Sequence, residues 1–415
     1  MTVLGRTRFD AQSTMRPSSV QLSPAEVDPL ETVKIVRNGH SWRQRRTSAD
    51  RKEAVVGRVQ SFSIRNRKCR DRMAAGILRR PPYLSNISGL SAMTGEIDYS
   101  ELFQPLWAEG VQMEGQYPHA RPLIAHYCSV NTLEAIVRNE EMWFSNPLYM
   151  NDFEELTFGI WRSREKFRES ELIRSALGTP KRYEAFRQHL EGIYAQFENG
   201  LAFDIYIACF SEHDPADNDG LLSMWRGYGA NGGGVALIFN TAALTEVPAS
   251  PLRVAKITYG TVEERLGWMD QILNKFALLI ASTSIPDDGL FLCAAHLFER
   301  LLALSIFTKH SGFKEEKEWR VVYSKHYDAN NVLTGMLGYF INGGIVEPKL
   351  KFKIAPIDGA AEGGITLEQF VTKIILGPRG ASARSKMALQ RMLQMLGKPA
   401  LAERVVTSST PYRER

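Results

Sequence analysis

The chain has 415 residues, 44% of them apolar, and four cysteines, Cys69, Cys128, Cys209 and Cys293. That length suits one large or two ordinary domains with a real core. Four scattered cysteines outside any CxxC spacing exclude a disulfide scaffold and a cysteine-built metal site, and they point to a reducing, cytoplasmic compartment.

The net charge of +5 joins two unlike parts: residues 1–80 hold 18 Lys and Arg against 7 Asp and Glu, and the rest hold 33 against 39. Residues 1–98 read as a disordered, basic, Ser/Arg-rich tail, because Ser, Gln and Pro bury too little surface to offset chain entropy. Its clusters Arg43-Gln44-Arg45-Arg46, Arg51-Lys52 and Arg65–Arg72 are a solvated linker, or a contact for nucleic acid or an anionic membrane. No continuous apolar h-region opens the chain, so a secretory signal is not expected. The composition also resembles the N-termini of bacterial effectors that injection machinery carries into a host cell. No apolar run is expected to reach the roughly 18 residues of a membrane span.

From Tyr99 to about residue 400 the pattern is that of an α+β domain, and 401–415 read as a C-terminal tail. "RPLIAHYCS" has the length of a buried strand. Ser129 or Asn131 can cap the next helix, where Leu133, Ile136 and Val137 recur at helical spacing. "EMWFSNP" is a short strand stopped by Pro147, and Leu156–Leu177 is helix-rich. "FDIYIACFSE", "GVALIFN" and "LRVAKITYG" follow as strands. A long helical region spans 262–310. "EWRVVYS" and "VTKIILGPR" are strands, and "SARSKMALQRMLQML" is a closing amphipathic helix. With no βαβ rhythm, the expected sheet is mixed and largely antiparallel, with flanking helices.

The absent motifs narrow the chemistry. No GxxxxGK[ST], HExxH, GxSxG or EF-hand loop occurs. "GANGGG" is not a GxGxxG placed between a strand and a helix. His296 and His310 read as ordinary helix histidines, and no metal ligand set is expected. Unusual residues concentrate instead in Leu123–Glu155, Cys209–Phe239 and Phe313–Ser324.

The ordered blocks "HYCS…NTLEAIV…MWFSNPLYMNDFEE", "CFSE…LSMWRGYGANGGGVALIF", "KEEKEWRVVY" and "IILGPR" closely resemble domain-of-unknown-function family 2971, over roughly Leu123 to Leu396. That family consists mostly of uncharacterised bacterial proteins, and its name carries no activity. A strand ending in His-Tyr, then a helix, a short strand and an aromatic loop is also similar to the entry of the ADP-ribosyltransferase fold. This second resemblance implies NAD as the cofactor consumed. The resemblance itself supplies His126 and Glu318 as catalytic residues and Tyr127 or Tyr149 as a cofactor contact; the residues' own chemistry adds Asp152 as a catalytic candidate and Asn151, Trp225, Arg226, Tyr228 and Arg320 as cofactor contacts. Glu316-Lys317-Glu318 also fits the Glu-x-Glu pattern of one branch, although that branch's Ser-Thr-Ser strand motif is missing.

The physical case is that breaking a nicotinamide–ribose bond builds positive charge on the sugar, which a carboxylate stabilises. Imidazole can hydrogen-bond hydroxyls or an amide, and aromatics hold flat rings at low entropic cost. Competing accounts remain for each residue: a structural His126, a helix cap at Asn151 and Asp152, a core Trp225, a hairpin turn at Gly232–Gly234, and a surface Glu318–Arg320 ion pair. The resulting expectation is an NAD-dependent ADP-ribosyltransferase-like enzyme acting on protein or nucleic acid, in the manner of a toxin or effector. A non-catalytic nucleotide- or peptide-binding module is the alternative. A third is a metal-dependent nuclease using Asp152, Glu155 and Glu318. The transferase reading needs His126, an aromatic residue and Glu318 in one cleft, and a separate expectation is that His126, Asp152, Trp225 and Glu318 share one pocket.

Overall fold

The computed structural model describes residues 97–412 apart from 109–116, 151, 152, 246, 248, 249 and 364. The expected basic tail therefore lies, up to residue 96, outside the described residues. The architecture is α+β, with a large, mostly antiparallel sheet between two helical layers.

In chain order, α1 (Tyr99–Phe103) and α2 (Pro105–Ala108) precede β1 (Leu123–Cys128), α3 (Val130–Asn139) and β2 (Glu141–Ser145). Ser129 Oγ accepts from Thr132 N at the start of α3, so it is the cap. Leu133, Ile136 and Val137 are buried on one face of that helix, as their spacing requires. Next come α4 (Phe153–Glu169), α5 (Glu171–Ala176), α6 (Pro180–Asn199), β3 (Ile205–His213), α7 (Leu222–Gly227) and β4 (Val235–Asn240). Short strands β5 (Leu244–Thr245), β6 (Leu252–Lys256) and β7 (Thr258–Gly260) lead to α8 (Val262–Ala281), which opens on a Thr261–Glu264 capping box. Then follow α9 (Leu290–Phe307), β8 (Thr308–His310), β9 (Glu318–Ser324), β10 (Leu337–Asn342), β11 (Ile345–Lys353) and β12 (Glu362–Gly363). The last elements are α10 (Leu367–Phe370), β13 (Val371–Leu376), α11 (Ala383–Met395), α12 (Pro399–Glu403) and β14 (Val405–Thr407).

Among the described residues the main sheet has ten strands in the order β10-β11-β2-β3-β1-β4-β13-β14, with β9 on β3 and β6 on β9. β3 is the hub. Residues Ile205–Ser211 pair with β9 along one edge, while the other edge is divided. Ile207 faces Ser145 of β2, and Ser211–His213 face Leu123–Ala125 of β1. The sheet thus forks between β1 and β2. One face carries Ile205, Ile207 and Val322 into a core with α4, α6, α8 and α9. The other carries Tyr206, Phe210, Trp319 and Tyr323 into a core with α3, α11 and α12.

Three expectations change. The segment from 401 is not a tail: it completes α12 and supplies β14, which pairs in parallel with β13. The hairpin β10–β11 was not foreseen, although Gly343 and Gly344 (φ +55° and +87°) form a two-residue turn that only glycine fits easily. Finally, the stretch Asp287–Phe307 is long and apolar enough to cross a membrane by length and composition. In this fold α9 is a core helix, burying Leu290, Cys293, Leu297, Leu301 and Leu304.

Candidate functional site

β9 begins with two charged residues facing the helical core. In a strand, residues two apart share a face, and Glu318 and Arg320 do so opposite Ser211 and Cys209 of β3. Arg320 Nε donates to Glu318 Oε1 at 2.7 Å, its second nitrogen donates to Oε2 at 3.2 Å, and a third N–H donates to the Ile306 carbonyl at 2.6 Å. Lys309, from β8, joins them. Its Nζ lies 3.3 Å from Glu318 Oε2, 2.7 Å from Glu316 Oε2 and 4.6 Å from the Phe313 ring centre. Tyr259, opposite Lys309 in β7, accepts the Glu318 backbone N–H at 2.7 Å.

Two positive and two negative groups therefore balance in a largely dry site: Lys309 is 1% exposed, Arg320 3% and Glu318 4%. Such burial is tolerated because each charge is paired and hydrogen-bonded. Burial works to raise the Glu318 pKa, but Arg320 and Lys309 outweigh it and hold the carboxyl below the ordinary range. Burial pushes the Tyr259 hydroxyl up to about 12.

The cluster opens outward at Glu316. Lys317 sits in the left-handed region (φ +46°), kinking the chain between the 3-10 turn at Ser311–Glu316 and β9. The kink lets Glu316 and Glu318 approach the same lysine. Ser211 Oγ donates to the Glu316 carbonyl at 2.6 Å, and Tyr228 OH donates to its Oε1 at 3.2 Å. Tyr228 and Phe313 are 43% and 45% exposed, so two rings flank a half-buried carboxylate.

The other residues singled out from the sequence divide clearly. Trp225 is fully buried, with its Nε1 donating to the Asp219 carbonyl at 2.7 Å. Tyr127 stands edge-on to it, ring centres 4.8 Å apart, and accepts the Leu221 N–H at 2.9 Å. Their polar atoms and rings fix α7 to the sheet. Arg320 is likewise occupied with Glu318. Arg226 is exposed on α7, beside Tyr228. Tyr149 packs edge-on to Phe203, before the start of β3, about 20 Å along the strand from the Glu318 register position. Asn151, Asp152 and the side chain of Glu155 lie outside the described residues.

The expected pocket joining His126 to Glu318 does not form. Ala125 is in register with Ser211, which is in register with Glu318, so the alternation of β1 turns His126 to the other side. There its ring lies 5.9 Å from Phe210, which packs on Phe239 in the opposite core. Burial lowers the His126 pKa, and a hydrogen bond with the Cys209 backbone works against that shift. A lowered folded value means that stability is present above the unfolded value of 6.5 and falls as pH drops through it toward the folded value. Urea midpoints measured from pH 8 to pH 5 should therefore fall below pH 6.5, and His126→Leu should flatten that fall. An unchanged slope in the variant would assign it to His213 and His326, whose values burial also lowers.

The residues that sequence reasoning passed over are Lys309, Tyr259, Phe313 and Ser211. Lys309 follows a long apolar helix with no polar neighbour pattern, so its burial had no local signal.

No curated protein and no solved structure matches the chain. Residues 224–321, from α7 through β9 and narrower than the Leu123–Leu396 resemblance, match the model of DUF2971, a family of proteins of unknown function, and every charged member of the cluster falls inside that match.

Proposed function

We propose that the chain is an NAD-consuming enzyme of the ADP-ribosyl-transfer class whose site does without His126, which stands on the other face of the sheet, and uses Glu316 rather than Glu318 as the carboxylate that meets the substrate. The observation that carries this reading is the half-buried Glu316, held between Tyr228 OH and Lys309 Nζ beside two exposed rings. Phe313 or Tyr228 offers a stacking face for nicotinamide. Exposed Arg226, Lys314 and Lys317 offer cations for a pyrophosphate. The C1′–N bond of the nicotinamide riboside breaks, and nicotinamide leaves with the bonding pair. A nucleophile of the acceptor then adds to C1′ and gives up its proton. Glu316 opposes the charge that develops on the sugar. Glu318 is a positioning residue, since it is buried at 4% exposure between Arg320 and Lys309, whereas Glu316, although also hydrogen-bonded through both oxygens, is only half-buried.

The acceptor is a protein or a nucleic acid. The excess of basic residues before position 80 would draw the chain to nucleic acid or to an anionic membrane, in the bacterial cytoplasm or in a host cell after export.

The test is nicotinamide release with wild type and Glu316→Gln. Release should fall at least tenfold in the variant while NAD binding persists, because the amide keeps the shape but loses the charge. Equal release in both removes Glu316 from the reaction. A second reading is favoured by the full engagement of Glu318, which leaves the buried end of the cluster without a free carboxylate. In that reading the site is a non-catalytic binding module, and calorimetry would detect ligand binding while no nicotinamide is released.

A further inference from the structure

Among the described residues three strands end the main sheet, because β3 branches, and two of the three are guarded. β14 is three residues long. β6 carries Arg253 and Lys256. Short length and charge are the usual devices that stop sheets from joining edge to edge. The third, β10, has neither device: its six residues, Leu337–Asn342, carry no charge and no proline. Its inner edge pairs with β11, and among the described residues its outer edge pairs with nothing.

The hairpin also exposes a run of large apolar side chains. Tyr339 is 62% exposed, Ile341 59%, Ile345 59%, Val346 56% and Phe340 42%. By register Tyr339, Ile341 and Val346 share one face of the hairpin and Phe340 and Ile345 the other, so apolar side chains stand on both sides of the open β10 edge.

We propose that this edge is where a second copy of the chain docks, β10 against β10 in antiparallel register. A strand edge asks for another extended backbone, and LGYFIN can serve itself. With the two-fold axis at Phe340, Tyr339 lies opposite the partner's Ile341 and Ile341 opposite the partner's Tyr339. Both pairings join an aromatic to a β-branched residue, a favourable cross-strand combination. No like charges meet on the two strands, since neither strand has any. Ile345 and Val346 lie on β11, one strand in from the contact, so two copies would bury less than roughly 1,000 Å², below standard specific interfaces, and the dimer should be weak, reversible and concentration-dependent. A two-fold contact consumes the same edge on both copies and therefore closes, without running on into a fibre.

Sedimentation equilibrium on the full chain tests this. Wild type should shift with concentration from 46.7 kDa toward twice that mass. Ile341→Lys and, separately, Tyr339→Lys should remain at the single-chain mass over the same range. Both positions are solvent-exposed, and circular dichroism checks that the variants fold. Three outcomes would overturn the proposal: wild type that stays monomeric at its highest soluble concentration, a dimer that survives both lysine substitutions, or growth into open-ended assemblies. The first would mean that the edge serves another segment of this chain or an unrelated protein.

Discussion

Replacing Arg320 with Leu lowers the unfolding free energy by about 3–5 kcal/mol, the cost typical of leaving one partner of a buried ion pair uncompensated. Arg320 donates twice to Glu318 and once to the Ile306 carbonyl, and all three acceptors lose that donor together. Lys309 cannot replace it, being shared already with Glu316. The double variant Glu318→Leu/Arg320→Leu should be far less destabilised than Arg320→Leu alone. It removes both charges at once and leaves Lys309 paired with Glu316. Urea unfolding near neutral pH measures both. A loss under about 1 kcal/mol for Arg320→Leu would place the pair among weak, solvated ion pairs and contradict the dry cluster.

Gly234→Ala is the second large effect. A methyl group there would run into the carbonyl oxygen of Cys128 and lie 2.9 Å from that of Gly229. Both obstacles are backbone, so no side chain can swing aside. Gly234 donates to the Gly229 carbonyl at 2.9 Å and accepts from Gly377 N at 2.9 Å, which ties the loop after α7 to the end of β13. Ala230 and Asn231 just before it occupy the left-handed region, at φ +47° and +51°. The loop cannot easily bend further, so β1 and β4 must part. Overpacking of this kind costs about 3 kcal/mol. The same urea series reports it, and a cost below about 1 kcal/mol would show that the strands move apart freely. Because Tyr228 leads into this loop, the change should also disturb its hydrogen bond to Glu316.

The strands with dense apolar and β-branched runs, β1, β3, β4, β9 and β13, were legible from composition and period alone. So were α3, through Ser129 and its spaced Leu133, Ile136 and Val137, and α8 and α9 within one long helical region. The hairpin at Asn342–Ile345 carried a turn signal, but the lysines of β11 masked it as a polar segment. β14 was too short to stand out. The candidate site was half legible. Glu316, Glu318, Tyr228 and Arg226 fell in the singled-out blocks, whereas Lys309 and Tyr259 reach them only through the parallel pairing of β7 with β8. His126 misled for a geometric reason. Strand alternation fixes the side on which a residue lies, but the side that Glu318 shares depends on register across β3, which local sequence does not encode.

The pairing of β2 with β11 bears on how the chain is made. Lys349 Nζ donates to Ser145 Oγ across 204 residues of sequence. At a synthesis rate of about 5–20 residues per second, β2 leaves the ribosome about 10–40 s before β11 exists to cover it. Over that interval Met142 and Phe144, buried in the finished fold, have no strand on that side. During synthesis that edge of β2 is therefore left uncovered for many seconds, a stage at which exposed apolar surface is open to chaperone binding.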